Sequence, residues 1–167
     1  YIVLAILSPV LAYLSEKTEK ILTGKDYPFN GEQWMRDMVR GILLVVRNML
    51  IEVAIIIGIF AVGFIPVLGQ LVSLFGIIFL FFVSAYFYGF SYLDYSMERR
   101  KMSLRQSIHF IRKNKGLAIS TGGIFALCLM LPMCGPTLGT FFSIFSVVGA
   151  SASIVEYEKT HNAIKDI

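Results

Sequence analysis

Two stretches of this chain carry no charged side chain: residues 53–93 and 116–155, which are 41 and 40 residues long. One helix crosses the hydrocarbon core of a bilayer in about 20 residues. Each stretch is therefore long enough for two passes, and each is broken near its middle by Pro and Gly. A soluble domain of 167 residues can bury a good core, but not two such runs. Mean hydropathy of +0.72 and a charged fraction of 16% agree, against roughly 25% in globular proteins. The pattern predicts an all-α integral membrane protein with long transmembrane helices and two helical hairpins. Each hairpin enters and leaves the lipid from the same side.

The first arm of each hairpin is short, at residues 53–65 and 117–131. Such arms reach only about 20–23 Å at 1.5 Å per residue. Either the helices extend back into their charged flanks, or the hairpins dip into the membrane without fully crossing. The tips, FIPVLGQ and LPMCGPTLG, are almost devoid of polar side chains. Backbone polar groups at membrane depth need partners, so a half-inserted tip must be covered by protein or face water. Residues 1–14 form an apolar segment too short for a full span, read as the end of a transmembrane helix that begins upstream.

All 15 Lys and Arg lie outside the two runs. By the positive-inside rule, residues 15–47, 98–115 and the tail face the cytoplasm and the tips point away from it. The surplus of positive charge suits topology and anionic lipid headgroups. No motif supports nucleic-acid binding. The organisation is one domain over 1–167, comprising the end of a long helix (1–24), an amphipathic helix with the first hairpin (32–93), and a cytoplasmic helix with the second hairpin (103–157). Gly24 should cap the first helix, with a loop over 26–31. In 32–48, Trp34, Met38, Ile42, Val45 and Met49 recur at helical spacing and predict an amphipathic interfacial helix. Ser103 is positioned to cap a short helix with Leu104, Ile108 and Ile111 on one face.

The ten residues from Pro66 align with the ten from Pro136, matching Pro, Leu, Gly, Ser and Phe at an offset of 70. In both, Pro is expected to open the returning helix at its first turn, where a missing N–H is harmless. The tip residues Pro66, Gly69, Pro136 and Gly139 thereby become candidates for an anion pathway, since helix N-termini attract anions. A charged network of Glu16, Glu19, Arg36, Asp37 and Arg40 is expected at the cytoplasmic mouth. Cys128 and Cys134 are six apart with no His or acid beside them, so they read as packing residues. No metal or cofactor is implied. Ser73, Ser84, Ser143 and Ser151 lie in membrane segments without a His or Lys to activate them, and read as helix–helix contacts rather than as an enzyme's nucleophile.

The order of residues resembles the CysZ sulfate permease family, which shares its domain with the etoposide-induced membrane proteins. The resemblance rests on Ser8-Pro9, on Leu14 to Gly24 (LSEKTEKILTG), on Asp37-x-x-Arg40 and on Phe64 to Gln70 (FIPVLGQ). It continues through Ser84-Ala85, Tyr92 to Arg99 (YLDYSMER) and Arg112. The chain departs from the family pattern at Ser96, where Pro is usual, and at Leu44 and Val45, where an Arg-Glu pair is frequent. The family's leading segment, which carries a Gly- and Arg-containing sulfate site, has no counterpart in this sequence.

The resemblance implies an oligomeric permease or channel of the bacterial inner membrane, passing sulfate or a similar inorganic anion inward for cysteine synthesis among membrane lipids. A membrane scaffold or regulator of the same domain family is the alternative. No nucleotide-binding loop is present, and no Asp, Glu, Lys, Arg or His lies within either run. This suits a passive pathway better than an ion-coupled pump.

Overall fold

The computed structural model describes residues 2–25, 31–131 and 135–165. The expected loop over 26–31 and the second tip, with Pro132 and Cys134, fall largely outside them. So do the side chains of Trp34, Asp37, Ser73 and Pro136. The described residues form six helices: α1 (Ile2–Thr23), α2 (Gly31–Gly63), α3 (Leu68–Arg99), α4 (Leu104–Lys113), α5 (Lys115–Leu129) and α6 (Gly135–Lys165). The all-helical membrane fold expected from the charge-free runs is the fold observed. Met38–Gly63, Leu74–Arg99 and Leu138–His161 are long and apolar enough to cross a membrane.

The helix ends follow local chemistry. Gly24 takes a left-handed φ of 72° and its N–H reaches the Lys20 carbonyl at 2.8 Å, ending α1 where the sequence predicts. Ser103 caps α4: its hydroxyl accepts from the Gln106 N–H (3.3 Å), while the Gln106 side chain accepts from the Ser103 N–H (2.7 Å). This reciprocal pair satisfies two donors that a helix start leaves open. Ile111 on α4 is buried, with Leu104 and Ile108 packed beside it, and His109 faces outward.

Three expectations change. The amphipathic segment 32–48 and the short first arm are one continuous helix, α2, 33 residues and about 50 Å long. Nothing in 48–53 can break it, so the first hairpin extends back into its charged flank. The inward face of α2 is also rotated from the predicted stripe. Gly41, Leu44, Val45, Asn48 and Glu52 are buried, whereas Ile42 is exposed. Polar partners on α3 draw Asn48 and Glu52 inward. Third, Pro66 precedes the returning helix rather than opening it. Val67 adopts φ 69° and ψ −53°, and the Leu68 N–H bonds the Pro66 carbonyl at 2.9 Å. This is a strained γ-turn, and a positive φ is costly for a β-branched residue. Pro136 does lie in the first turn of α6.

The repeated glycines both face the preceding arm of their hairpin, one against backbone and the other against a side chain. A Cβ on Gly69 would strike the carbonyl of Gly63 at the end of α2, and one on Gly139 would press on Leu129 at the end of α5 (3.3 Å).

The core lies at the charged end. Residues 89–98 of α3 are all buried, among them Phe90, Tyr92, Leu93 and Met97. Leu11, Leu44, Ile111, Phe125, Val147 and Ile154 from the other five helices surround them. The Tyr92 hydroxyl donates to Ser143 (3.1 Å) and its ring meets Phe125 edge to face. The most extensive packing is α3 on α5. There the backbones touch: a Cβ on Gly89 would collide with the Ala118 carbonyl, and one on Gly122 with the Ala85 carbonyl. Ala85-xxx-Gly89 and Ala118-xxx-Gly122 are small-residue pairs four apart, which permit close approach of helices in lipid.

Candidate functional site

The charges at this end form two clusters, each built across three helices. In the first, Arg40 on α2 makes a forked contact with Asp94 on α3, Nη2 to Oδ1 at 2.8 Å and Nε to Oδ2 at 3.2 Å. The same guanidinium donates to the Ser107 hydroxyl of α4 (2.7 Å) and to the Met102 carbonyl. Asp94 is almost fully buried and Arg40 largely so. Such bidentate, charge-assisted pairs fix geometry as well as binding. Arg40 therefore pins the base of the first hairpin to the linking helix.

The second cluster joins α1, α3 and α6. Both oxygens of the Glu19 carboxylate are taken by arginines at the end of α3: Oε2 by Arg99 Nε and Oε1 by Nη2 of Arg100, the residue that caps the helix, each at 2.8 Å. Arg100 also binds Glu158 of α6, with Nη2 to Oε2 at 2.7 Å, and donates to the Ser96 carbonyl (2.8 Å). Arg99 Nη2 donates to the hydroxyls of Ser15 (2.6 Å) and Ser96 (3.1 Å). Ser15 meets Ser151 at 2.6 Å, and Ser151 donates to the Val147 carbonyl (2.9 Å). All three serines are buried. Burial disfavours the charge on Arg100, but its contacts with Glu158 and Glu19 more than offset this and hold its pKa above the ordinary arginine value.

Of the five residues expected in one network, Glu19 and Arg40 fall in different clusters. Arg36 pairs with Glu32 one turn away on an exposed face of α2 (2.7 Å). Glu16 is half-buried on α1 and takes no part in the ion pairs described. Asp37's side chain lies outside the described residues. Their partners Asp94, Arg99, Arg100, Glu158 and Ser15 were not singled out by spacing, because the contacts between helices join residues more than fifty positions apart; Ser151, expected to make a helix–helix contact, does so with Ser15. Asp94 and Arg99 did stand in the YLDYSMER segment.

At greater depth a polar seam joins α2 to α3. Asn48 donates to Ser91 (3.4 Å) and accepts from Arg47 (3.1 Å), and Ser84 donates to Glu52. Glu52 sits one residue before the charge-free run, yet the span Met38–Gly63 includes it and it is 7% exposed. The sequence boundary of the run is therefore not the boundary of the membrane helix. A carboxylate stands in a span that looked free of coupling groups.

The first tip is exposed on this chain at Phe64, Ile65, Val67 and Leu68, and Pro66 is exposed with them. Gly69 is half-buried and Gly139 is buried.

Long apolar helices that gather at a densely paired, arginine-rich end define an all-helical membrane protein. Residues 1–138 match the family described as Sulfate transporter CysZ/Etoposide-induced protein 2.4, and the chain belongs to that family. A "Sulfate transporter CysZ" of Pseudomonas fluorescens strain Pf-5 is 26% identical over 130 residues, covering 77% of this chain and 51% of the relative. A second, from strain SBW25, is 25% identical over 130 residues, covering 77% of this chain and 49% of its own length. The chain spans about half the length of the curated relatives it matches. The family match ends at residue 138, so Ser151 and Glu158 of α6 lie beyond it.

Proposed function

We propose that the protein is a sulfate permease or channel, a multi-pass protein of the bacterial inner membrane that imports sulfate for cysteine synthesis, and is not an enzyme. The observation that carries this is the family match over most of the chain, to relatives named as sulfate transporters. The geometry is compatible with it. Arg40, Arg99 and Arg100 are ion-paired in the two clusters at the charged end of the helices, and the chain's net charge of +4, carried outside the apolar runs, supplies a cationic field that concentrates anions. The arms of the first hairpin carry a long exposed apolar surface, suited to contact with lipid or with a further copy.

Transport is down the sulfate gradient. Glu52 is a carboxylate at membrane depth that provides the sharpest challenge to this reading. Radiolabelled sulfate uptake into liposomes containing the intact protein, with and without a proton or sodium gradient, tests it. Gradient-independent uptake that survives Glu52→Gln is the expected outcome. Uptake that needs a gradient, and loses that need in Glu52→Gln, would replace the passive reading with a coupled one.

A scaffold without flux is the second reading. It is favoured by the family description, which includes the etoposide-induced proteins alongside the transporters. No sulfate uptake under any of these conditions would select it.

A further inference from the structure

We propose that the Glu19 carboxylate occupies, as an internal counter-anion, a two-arginine receptor for a tetrahedral oxyanion, and that an incoming oxyanion binds there by displacing it. The proposal rests on the reading that the protein passes an inorganic anion, and it assigns a place where that anion pauses.

The geometry is that of a filled anion site. Two adjacent guanidiniums converge on one buried carboxylate, one donating to each oxygen at 2.8 Å. The oxygens of a sulfate or phosphate are spaced much like those of a carboxylate, so the same N–H groups fit either. Arg99 is held from behind: its Nη2 is anchored on Ser15 and Ser96, and these hydroxyls are tied to Ser151 and through it to the α6 backbone. The guanidinium thus keeps its aim if its carboxylate partner leaves. Arg100 has a second carboxylate in Glu158, whose side chain is 44% exposed. It too stays partly compensated.

Charge arithmetic gives the direction of the switch. With Glu19 in place, the ion pairs described set two arginines against two carboxylates. An approaching dianion gains little from this paired cluster itself. When Glu19 withdraws, Arg99, Arg100 and Glu158 leave one net positive charge; a singly charged oxyanion cancels it, and a dianion leaves one net negative charge that Lys25, which acts on Glu158, helps to offset. Exchange of one anion for another never leaves buried arginines bare, the costly state for buried ions. Glu19 is well placed to leave, since it lies one turn before Thr23, the last residue of α1, and Gly24 follows.

Equilibrium binding of radiolabelled sulfate to the intact protein in nanodiscs tests this without reference to flux. Glu19→Gln is expected to tighten sulfate binding at least about tenfold at low ionic strength, the scale of one unit charge added at close range. Glu19→Gln combined with Arg99→Gln is expected to lose the gain. Unchanged or weaker binding in a folded Glu19→Gln protein overturns the proposal, as does a gain that survives loss of Arg99. Should Glu19→Gln fail to fold, the wild-type protein decides by hydrogen exchange. Sulfate, but not chloride at equal ionic strength, is expected to speed exchange at Lys20–Gly24 as Glu19 lets go, and no such difference overturns the proposal. Tight binding in Glu19→Gln without wild-type sulfate uptake would reject the permease reading and keep the site. Normal uptake without tightening would do the reverse.

Discussion

The two hairpins share a sequence repeat and stand in opposite surroundings. In the second, 44% of the α6 span is buried inside the fold; in the first, only 22% of the α2 span is. Charge does not separate them, because the runs at residues 53–93 and 116–155 both lack charged side chains. Side-chain size does. α5 presents Ala118, Thr121, Gly122, Gly123 and Ala126 to its neighbours, all of them buried. The distal part of the first hairpin carries Ile56, Ile57, Phe60, Leu74, Phe75, Ile77 and Phe79, all exposed. In lipid there is no hydrophobic gain in taking a leucine out of the tails, so helices associate where small residues let backbones meet and polar groups bond. The first hairpin is held at its charged base, through Arg40, Glu52 and Asn48, and its far end is left to lipid or to another subunit.

The largest expected effect breaks that base. Arg40→Leu leaves Asp94 buried without its guanidinium, which for a buried pair costs about 3–5 kcal/mol. The measurement is unfolding in mixed detergent micelles. A loss below about 1 kcal/mol would show that the first hairpin is anchored elsewhere. Next comes the contrast between glycines. Gly122→Ala must push α5 off the Ala85 carbonyl and is expected to lose about 1–3 kcal/mol, as overpacking does. Gly58→Ala on α2 meets nothing within 4 Å and is expected to gain up to about 1 kcal/mol from helix propensity. Equal effects at the two sites would remove size as the discriminant between the hairpins.

Hydropathy made the helices legible, and with them the fold class, the Gly24 stop and the Ser103 start. It left the boundary of α2 illegible, because a run defined by absence of charge stops at Glu52, while a helix stops only where backbone geometry changes, at Gly63. It also hid which hairpin is central. The signal was available in Gly122-Gly123 and in Ala85-xxx-Gly89, but small residues score as merely apolar unless read as a packing surface. The clusters were the least legible part. Glu19 and Arg40 stood out by charge, but pairing Glu19 with Arg99 across eighty positions follows from how α1 crosses α3. Ser15, Ser96 and Ser151 come together from three separate helices; Ser151 was expected to make a helix–helix contact, but nothing local shows which helix it meets.

The exposed tip gives a smaller and more local test. Leu68→Cys in a Cys-free background is expected to react poorly with a membrane-impermeant thiol reagent and readily with a lipid-soluble one. Its apolar neighbours Phe64, Ile65 and Val67 are exposed on this chain and require a nonaqueous cover. Lys101→Cys, on the exposed turn after α3, serves as the accessible control. Equal labelling of both by the impermeant reagent would make the first tip an ordinary aqueous loop, and the contrast between the hairpins would then reflect water rather than lipid.

The smallest expected effect falls on the joint between the hairpins. α4 links α3 to α5, and its start is fixed by the reciprocal bonds of Ser103 and Gln106. Ser103→Ala removes the acceptor for the Gln106 N–H, and capping losses of this kind are about 1 kcal/mol. The site is exposed, so water takes over part of the duty and the loss should not exceed that figure. The helix itself should persist, because Ile111 and Ser107 are buried and Arg40 holds Ser107 from α2. Ser107→Ala cuts that second tie. If the two substitutions are coupled, losing more together than the sum of each alone, α4 is a mechanical link through which the base of the first hairpin and the start of the second are held in register. Strict additivity would make α4 a passive connector and the two hairpins independent units.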